Sequence, residues 1–178
     1  LPCDIAVVGI GAAPNQEIAS EAGLDCARGI IVDLEARTSD PDIFAIGDVT
    51  QRPLPLYNRN FRLESVPNAL EQAKQAAAAI TGRAPPRAET PWQWSDQYDL
   101  KLQIAGLSQG FDRVVTRGDI ESGRSFSAFY FSGDRLIAVD AVNRPKEFMV
   151  SKRFLTERRS ADPARVADES VELKDCFA

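Results

Sequence analysis

Thr38-Ser39-Asp40-Pro41-Asp42-Ile43-Phe44-Ala45-Ile46-Gly47-Asp48-Val49 joins a turn, an apolar run and a Gly-Asp pair. The Ser-Asp-Pro-Asp cluster demands a turn, and Ile43 to Asp48 reads as a short strand. In open α/β sheets ligands bind at the C-terminal ends of strands, which is where Asp48 falls. A carboxylate there can accept hydrogen bonds from a polyhydroxyl chain, and Gly47 leaves room for the ligand. The plainer alternative is a turn aspartate that caps the next segment.

On the N-terminal side, Ile5 to Gly11 is a β-branched run ending in glycines, the pattern of a buried parallel strand and a tight turn. Gln16 to Ala22 is a short helix stopped by Gly23, and Gly29 to Asp33 is another strand. Gly9-Ile10-Gly11-Ala12-Ala13-Pro14 has glycines spaced as in a dinucleotide fingerprint, but Pro14 stands where the third glycine belongs. These glycines either make a strand-end turn or let a flat ring approach the backbone.

On the C-terminal side, Gln51 to Phe61 contains Pro53, Pro55 and Asn-Arg-Asn and reads as an exposed loop. Asn68 to Ile80 reads as a helix, with Pro67 at a tolerated N-terminal position and Gly82 as the stop. Thr81 to Arg87, with its Pro85-Pro86 pair, is the best linker, and a domain boundary is expected near residue 85. Beyond it, Leu100 to Ala105, Arg113 to Arg117, Ser125 to Phe131 and Arg135 to Val142 read as four strands separated by glycine turns. Pro145 opens a helix running to about Arg159, with Phe148, Lys152, Leu155 and Arg159 on one face. The stretch from Ala161 has no strong period and is expected to lie on the surface.

Composition narrows the chemistry. The chain has 178 residues and no histidine, which removes imidazole acid–base pairs, Ser-His-Asp triads and most zinc or iron sites. Any redox or transfer chemistry must come from a cofactor. The net charge of −5 argues against nucleic-acid binding, and no apolar run reaches the roughly 18 residues of a membrane span. Cys3, Cys26 and Cys176 are too few and too far apart for a disulfide or zinc framework, so reduced thiols and a cytoplasmic location are expected. The chain opens on Leu1 directly into a strand-like run, and its one methionine is Met149, so it reads as the remainder of a longer protein.

The string around Asp48 resembles the second flavin-binding motif of the two-dinucleotide-binding-domain flavoprotein reductases. Val8 to Asn15 resembles the segment ending their NAD(P)H domain. Arg62-Leu63-Glu64-Ser65-Val66-Pro67-Asn68-Ala69-Leu70-Glu71-Gln72-Ala73, Pro91 to Tyr98, Ala138 to Pro145 and Ala167 to Val171 narrow the resemblance. They are similar to the ferredoxin reductases that serve cytochrome P450 and aromatic-ring dioxygenase systems, the putidaredoxin reductase type. Nearly the whole chain is covered.

The resemblance implies an α/β then α+β fold: the end of an NAD(P)H domain (1–14), the C-terminal part of an FAD domain (15–85), and a small antiparallel α+β domain (86–178). The first half of both nucleotide domains would lie outside the chain. It implies FAD as cofactor, NAD(P)H as substrate and a [2Fe–2S] ferredoxin as partner. Asp48 would hold the ribityl chain, with Gly47 beside it. Gly9, Gly11 and Pro14 would lie by the nicotinamide. Ser65, Val66 and Pro67 would pass the isoalloxazine, the following helix N-terminus facing its pyrimidine end. Some relatives have tryptophan in place of Val66, so Trp92 or Trp94 would cover the flavin instead; packing between domains is the alternative for both. Arg59, Arg62 and Trp94 would meet the ferredoxin. Glutathione-reductase-like enzymes share the aspartate motif but need a histidine–glutamate pair, which this chain lacks. A second reading has the isolated chain as an inactive interaction or dimerisation module without FAD, associating through exposed sheet edges.

Overall fold

The computed structural model describes residues 2–177. After helix α1 (Glu17–Glu21), strand β1 (Ile30–Ile31) runs parallel to β2 (Thr50–Leu54), which pairs antiparallel with β3 (Arg59–Phe61). Helix α2 (Val66–Ile80) then packs against the Gly47–Val49 turn that leads into β2. Its start is set chemically: the Ser65 hydroxyl accepts from the Asn68 amide as an N-cap, and Pro67 sits in the first turn, where its missing N–H costs nothing. The face α2 buries is polar, comprising Asn68, Gln72 and Gln75 as well as Ala76 and Ala78.

Five antiparallel strands follow: β4 (Trp92–Gln97), β5 (Leu100–Gly106), β6 (Arg113–Asp119), β7 (Ser125–Ser132) and β8 (Arg135–Val142), in the order β4-β5-β8-β7-β6. Helix α3 (Pro145–Glu157) covers one face, and α4 (Pro163–Ala167) leads into the C-terminal stretch. The main core lies between them, built on Phe129, Phe131, Val139, Phe148, Leu155 and Val166. The α/β then antiparallel α+β class read from the sequence is therefore the class observed.

Several local expectations are corrected. Residues 5–11 form no strand, and Ile5, Val7 and Ile10 are 83%, 95% and 92% exposed. A buried parallel strand needs a neighbour on each side, and no strand among the described residues pairs with this one. Ile43 to Asp48 is not a strand either. Backbone bonds from Ala45 to Ala36 and from Thr38 to Ile43 fold it against residues 36–38, and Gly47 (φ +81°) ends the extended path. The strand is Thr50–Leu54, and with β3 (Arg59–Phe61) it takes up most of the stretch from Gln51 to Phe61 that was expected to be a loop. It buries alternate residues Thr50, Arg52 and Leu54, two of them polar, which hides the period from a hydrophobicity reading. Trp92–Gln97 is a fifth strand of the second sheet, at its edge.

The stretch from Ala161 is anchored rather than superficial. Ala161, Val166, Leu173, Cys176 and Phe177 are buried, and Phe177 stacks on Phe154 at 4.2 Å. Arg117, itself only 7% exposed, donates to the carbonyls of Val166 (3.0 Å), Asp168 (2.7 Å) and Val171 (2.8 Å), and its Nε to Glu147 (3.3 Å). Glu147 also accepts from Ser127 (2.7 Å) and Arg144 (3.2 Å), so this buried charge is fully engaged.

Tyr57, in the turn between β2 and β3, joins the two sheets. Its hydroxyl donates to the Ile137 carbonyl (2.9 Å) and accepts from the Leu107 amide (2.9 Å). Gly106 permits the approach: it has φ +81°, and a Cβ there would stand 2.2 Å from the Ile137 carbonyl oxygen and 2.8 Å from the Tyr57 hydroxyl. Burial pushes the Tyr57 phenol up to about 12, against an ordinary value of 10.0. The neutral phenol is thus favoured by folding, and its contribution is complete below pH 10 and lost as pH rises toward 12. Tyr57→Phe should lower stability in urea by about 1–3 kcal/mol at pH 7, because it leaves a buried amide and carbonyl unpaired. The gap to the parent should narrow between pH 10 and 11.5, about the range over which an unfolded tyrosine ionises. Tyr130, also raised to about 12, is common to both proteins and cancels.

Candidate functional site

The site is built where the β2 approach meets the start of α2. Gly47 donates its N–H to Gln72 Oε1 (2.8 Å), and Gln72 also accepts from Asn68 Nδ2 (3.2 Å). The Thr50 hydroxyl lies 2.8 Å from the Gly47 carbonyl and 3.0 Å from Gln72 Oε1, sharing one proton between them. Asn68 donates to the Leu63 carbonyl (3.1 Å) and accepts from Arg52 (3.1 Å), whose guanidinium also pairs with Glu71 at 3.2 Å. This polar cluster fixes the Gly47–Asp48 turn against the first turns of α2.

Above it the surface is open. The Asp48 carboxylate is exposed and has no hydrogen-bond partner among the described residues, and the nearest atom to a Cβ built on Gly47 is the Ala69 Cβ at 3.7 Å. In the first turn of α2, Ser65 caps Asn68, Pro67 carries no N–H, and Val66 is 59% exposed with its amide unbonded among the described residues. The turn therefore offers a carboxylate acceptor beside the positive end of a 15-residue helix. That set fits a ligand with hydroxyls at one end and, at the other, a ring that carries or gains negative charge. No cluster of three metal-ligating side chains occurs among the described residues.

Arg62 bridges this turn to the N-terminal segment. Its guanidinium reaches the Asp48 carbonyl (3.4 Å) and the Ala12 carbonyl (3.2 Å) and pairs with Glu64. Pro14 is half-buried, whereas Gly9 and Gly11 are exposed with nothing within 4 Å of a Cβ. The structure thus brings Asp48, Ser65 to Pro67 and the segment bearing Gly11 together. Arg59 is exposed, donating to the Gln109 carbonyl (3.0 Å) with its guanidinium 4.8 Å from the Phe61 ring centre. With Arg28, Gln51 and Arg62 it lines a groove of about 300 Å³.

The tryptophans sit on the second sheet. Trp92 packs on Phe148 (5.6 Å) and Trp94 (5.5 Å) beneath the Lys152 ammonium, and with Leu63 and Pro67 it lines a cavity of about 250 Å³. Trp92 therefore reaches the α2 start, while Trp94 is 43% exposed on the edge strand, on a different element from Arg59. Sequence reading missed Thr50, Arg52, Asn68 and Gln72. For Asn68 and Gln72 the signal was the polar i, i+4, i+7 spacing with Gln75, where an inward helix face normally carries apolar residues; Thr50 and Arg52 carried none.

Two family models match the chain. Residues 1–73 match the pyridine nucleotide-disulphide oxidoreductase family and residues 92–177 match the Reductase C-terminal family. Its N-terminal part is thus similar to the first family and its C-terminal part to the second, and the two matches together take in most of the chain. It is 48% identical to putidaredoxin reductase CamA of Pseudomonas putida over 100% of this chain and 42% of that protein. It is 52% identical to the probable ferredoxin reductase CtmF of Castellaniella defragrans over 97% of this chain and 42% of that protein. A crystal structure of the covalent putidaredoxin reductase–putidaredoxin complex superposes with a TM-score of 0.93 at 48% identity, covering 99% of this chain and 42% of that one. The chain thus spans less than half the length of the relatives it matches.

Proposed function

We propose that this chain is the C-terminal portion of an FAD-dependent NAD(P)H:ferredoxin oxidoreductase serving a P450 or ring-hydroxylating oxygenase. The observation that carries the reading is the unpartnered Asp48 carboxylate held beside the N-terminus of α2. Bound FAD would supply the chemistry, hydride acceptance from NAD(P)H and single-electron donation to a [2Fe–2S] ferredoxin, and the residues of this chain would hold and orient it. Asp48 accepts from the ribityl hydroxyls, and Gly47 keeps the approach clear. The α2 N-terminus, with the Val66 amide, supports negative charge at the flavin's pyrimidine end, where it builds up on reduction. Ser65 holds that helix start in place, and Pro67 with Trp92 forms an apolar wall below it.

Gly9, Gly11 and Pro14 form the nicotinamide side, and Arg62 sets their distance from Asp48 by holding both carbonyls. The division into an NAD(P)H-domain end (1–14), FAD-domain part (15–85) and C-terminal domain (86–178) follows this assignment of roles. Arg59, with Arg62 behind it and Trp94 on the neighbouring unit, presents the face for an acidic ferredoxin. No helix among the described residues is long and apolar enough to cross a membrane, and a cytoplasmic location suits soluble electron carriers.

In the full-length protein, Asp48→Ala should weaken FAD binding by about 1.5–3 kcal/mol, the range for hydrogen bonds to a charged group. Flavin content after extensive dialysis checks this, and unchanged retention would contradict the assignment. A folded full-length protein that never shows flavin absorption would instead favour an interaction module.

Arg59→Glu tests the docking face. Steering by rim charge acts mainly on association rate and fades with salt, since the screening length is about 8 Å at physiological ionic strength. The variant should reduce ferredoxin several-fold more slowly than the parent at low salt, roughly in line with a steering effect. The two should converge at high salt and reduce a small neutral acceptor equally throughout. Equal ferredoxin rates across a salt series would place the docking surface elsewhere.

A further inference from the structure

We infer that Gln72 is a positioning residue of the flavin site, a neutral acceptor that sets the spacing between Asp48 and the start of α2. The inference rests on the flavin reading above. Gln72 is 1% exposed, and it sits two turns into α2, on the side facing Gly47. Its orientation is decided by its neighbours. The Gly47 N–H can only donate, and Asn68 presents its amide nitrogen because its oxygen is engaged by Arg52. The carbonyl end of Gln72 must therefore face both.

That orientation leaves the other end orphaned. Gln72 Nε2 is buried and has no partner among the described residues. A glutamate would present an acceptor oxygen to the same two amide donors and hydroxyl, but it would leave a charged oxygen where Nε2 is unpaired, at a higher cost than the neutral amide. The pocket carries the neutral residue. A carboxylate in the same place would also set a buried negative charge behind the turn that bears the exposed Asp48, opposing the anionic charge a reduced flavin develops. Glutamine keeps the acceptor without that charge. Because Gly47 directly precedes Asp48 and Asn68 lies in the first turn of α2, one oxygen holds both flavin contacts.

Two substitutions in the full-length flavoprotein test this, with folding followed by far-UV circular dichroism. Gln72→Leu removes the acceptor at similar volume, and FAD should dissociate about tenfold more readily, as for one lost hydrogen bond. Gln72→Glu restores the acceptor and adds charge. It should recover FAD affinity to within about threefold of the parent, on the same scale, and lower the flavin midpoint potential. A merely structural role would leave that potential unmoved.

A folded Gln72→Leu protein with parental FAD affinity overturns the inference. Should Gln72→Leu fail to fold, Gln72→Glu decides alone, and an unchanged midpoint potential overturns it. If Asp48→Ala weakens FAD binding while Gln72→Leu does not, only the role of Gln72 fails. If neither affects FAD, the flavin reading itself is wrong.

Discussion

A single side-chain oxygen, Gln72 Oε1, ties the turn before β2 to helix α2, and the geometry of the whole first unit hangs on it. Gly47 and Thr50 lie on one side, Asn68 on the other, and Arg52 with Glu71 closes the cluster. An apolar interface would let the helix slide, since hydrophobic contact is non-directional. Directed hydrogen bonds in a dry interior allow one register, and the exposed Asp48 inherits its position from that register. The two-residue β1 and three-residue β3 could not impose this alone.

The second unit uses the same device at a different place. Buried Arg117 binds three carbonyls of the C-terminal stretch and leans on Glu147, so the chain end is fastened to the sheet by a satisfied charge rather than by a long helix. Tyr57 then connects the units by reaching from the β2–β3 turn to the backbones of β8 and the end of β5. Through that link the sheet that bears Trp92 is held to the unit that bears α2 and Arg59. Under the proposed function such fixed spacing would serve to align a flavin between hydride entry and electron exit.

What could be read from the sequence followed from pattern strength. The α2 helix, the strands β5 to β8 of the second sheet and the Pro145 helix announced themselves through periodicity, glycine turns and proline caps. The Asp48 motif and the α2 start were legible because turn, glycine and acid occur in a fixed order. The Thr50–Leu54 strand was not, since its inward residues include threonine and arginine that are satisfied only by a helix many residues later. The Ile5–Gly11 run was read as a strand from its side chains, but a strand also requires neighbours. The C-terminal stretch lacked any period, as its helices are five and four residues long and its anchor, Arg117, lies on β6. Arg62, expected from the resemblance at the ferredoxin face, directs its guanidinium to carbonyls of two segments, a tie that no local pattern announces.

These features converge on one claim, that the Gly47–Asp48 turn and the α2 N-terminus together grip a flavin. The most direct measurement is a crystal structure of the full-length protein with FAD. The account predicts an Asp48 carboxylate oxygen within about 2.5–3.0 Å of a ribityl hydroxyl, the normal O–H···O range, with the pyrimidine edge of the ring over the Val66 amide. A flavin bound with Asp48 facing solvent and the α2 start uncontacted would contradict it.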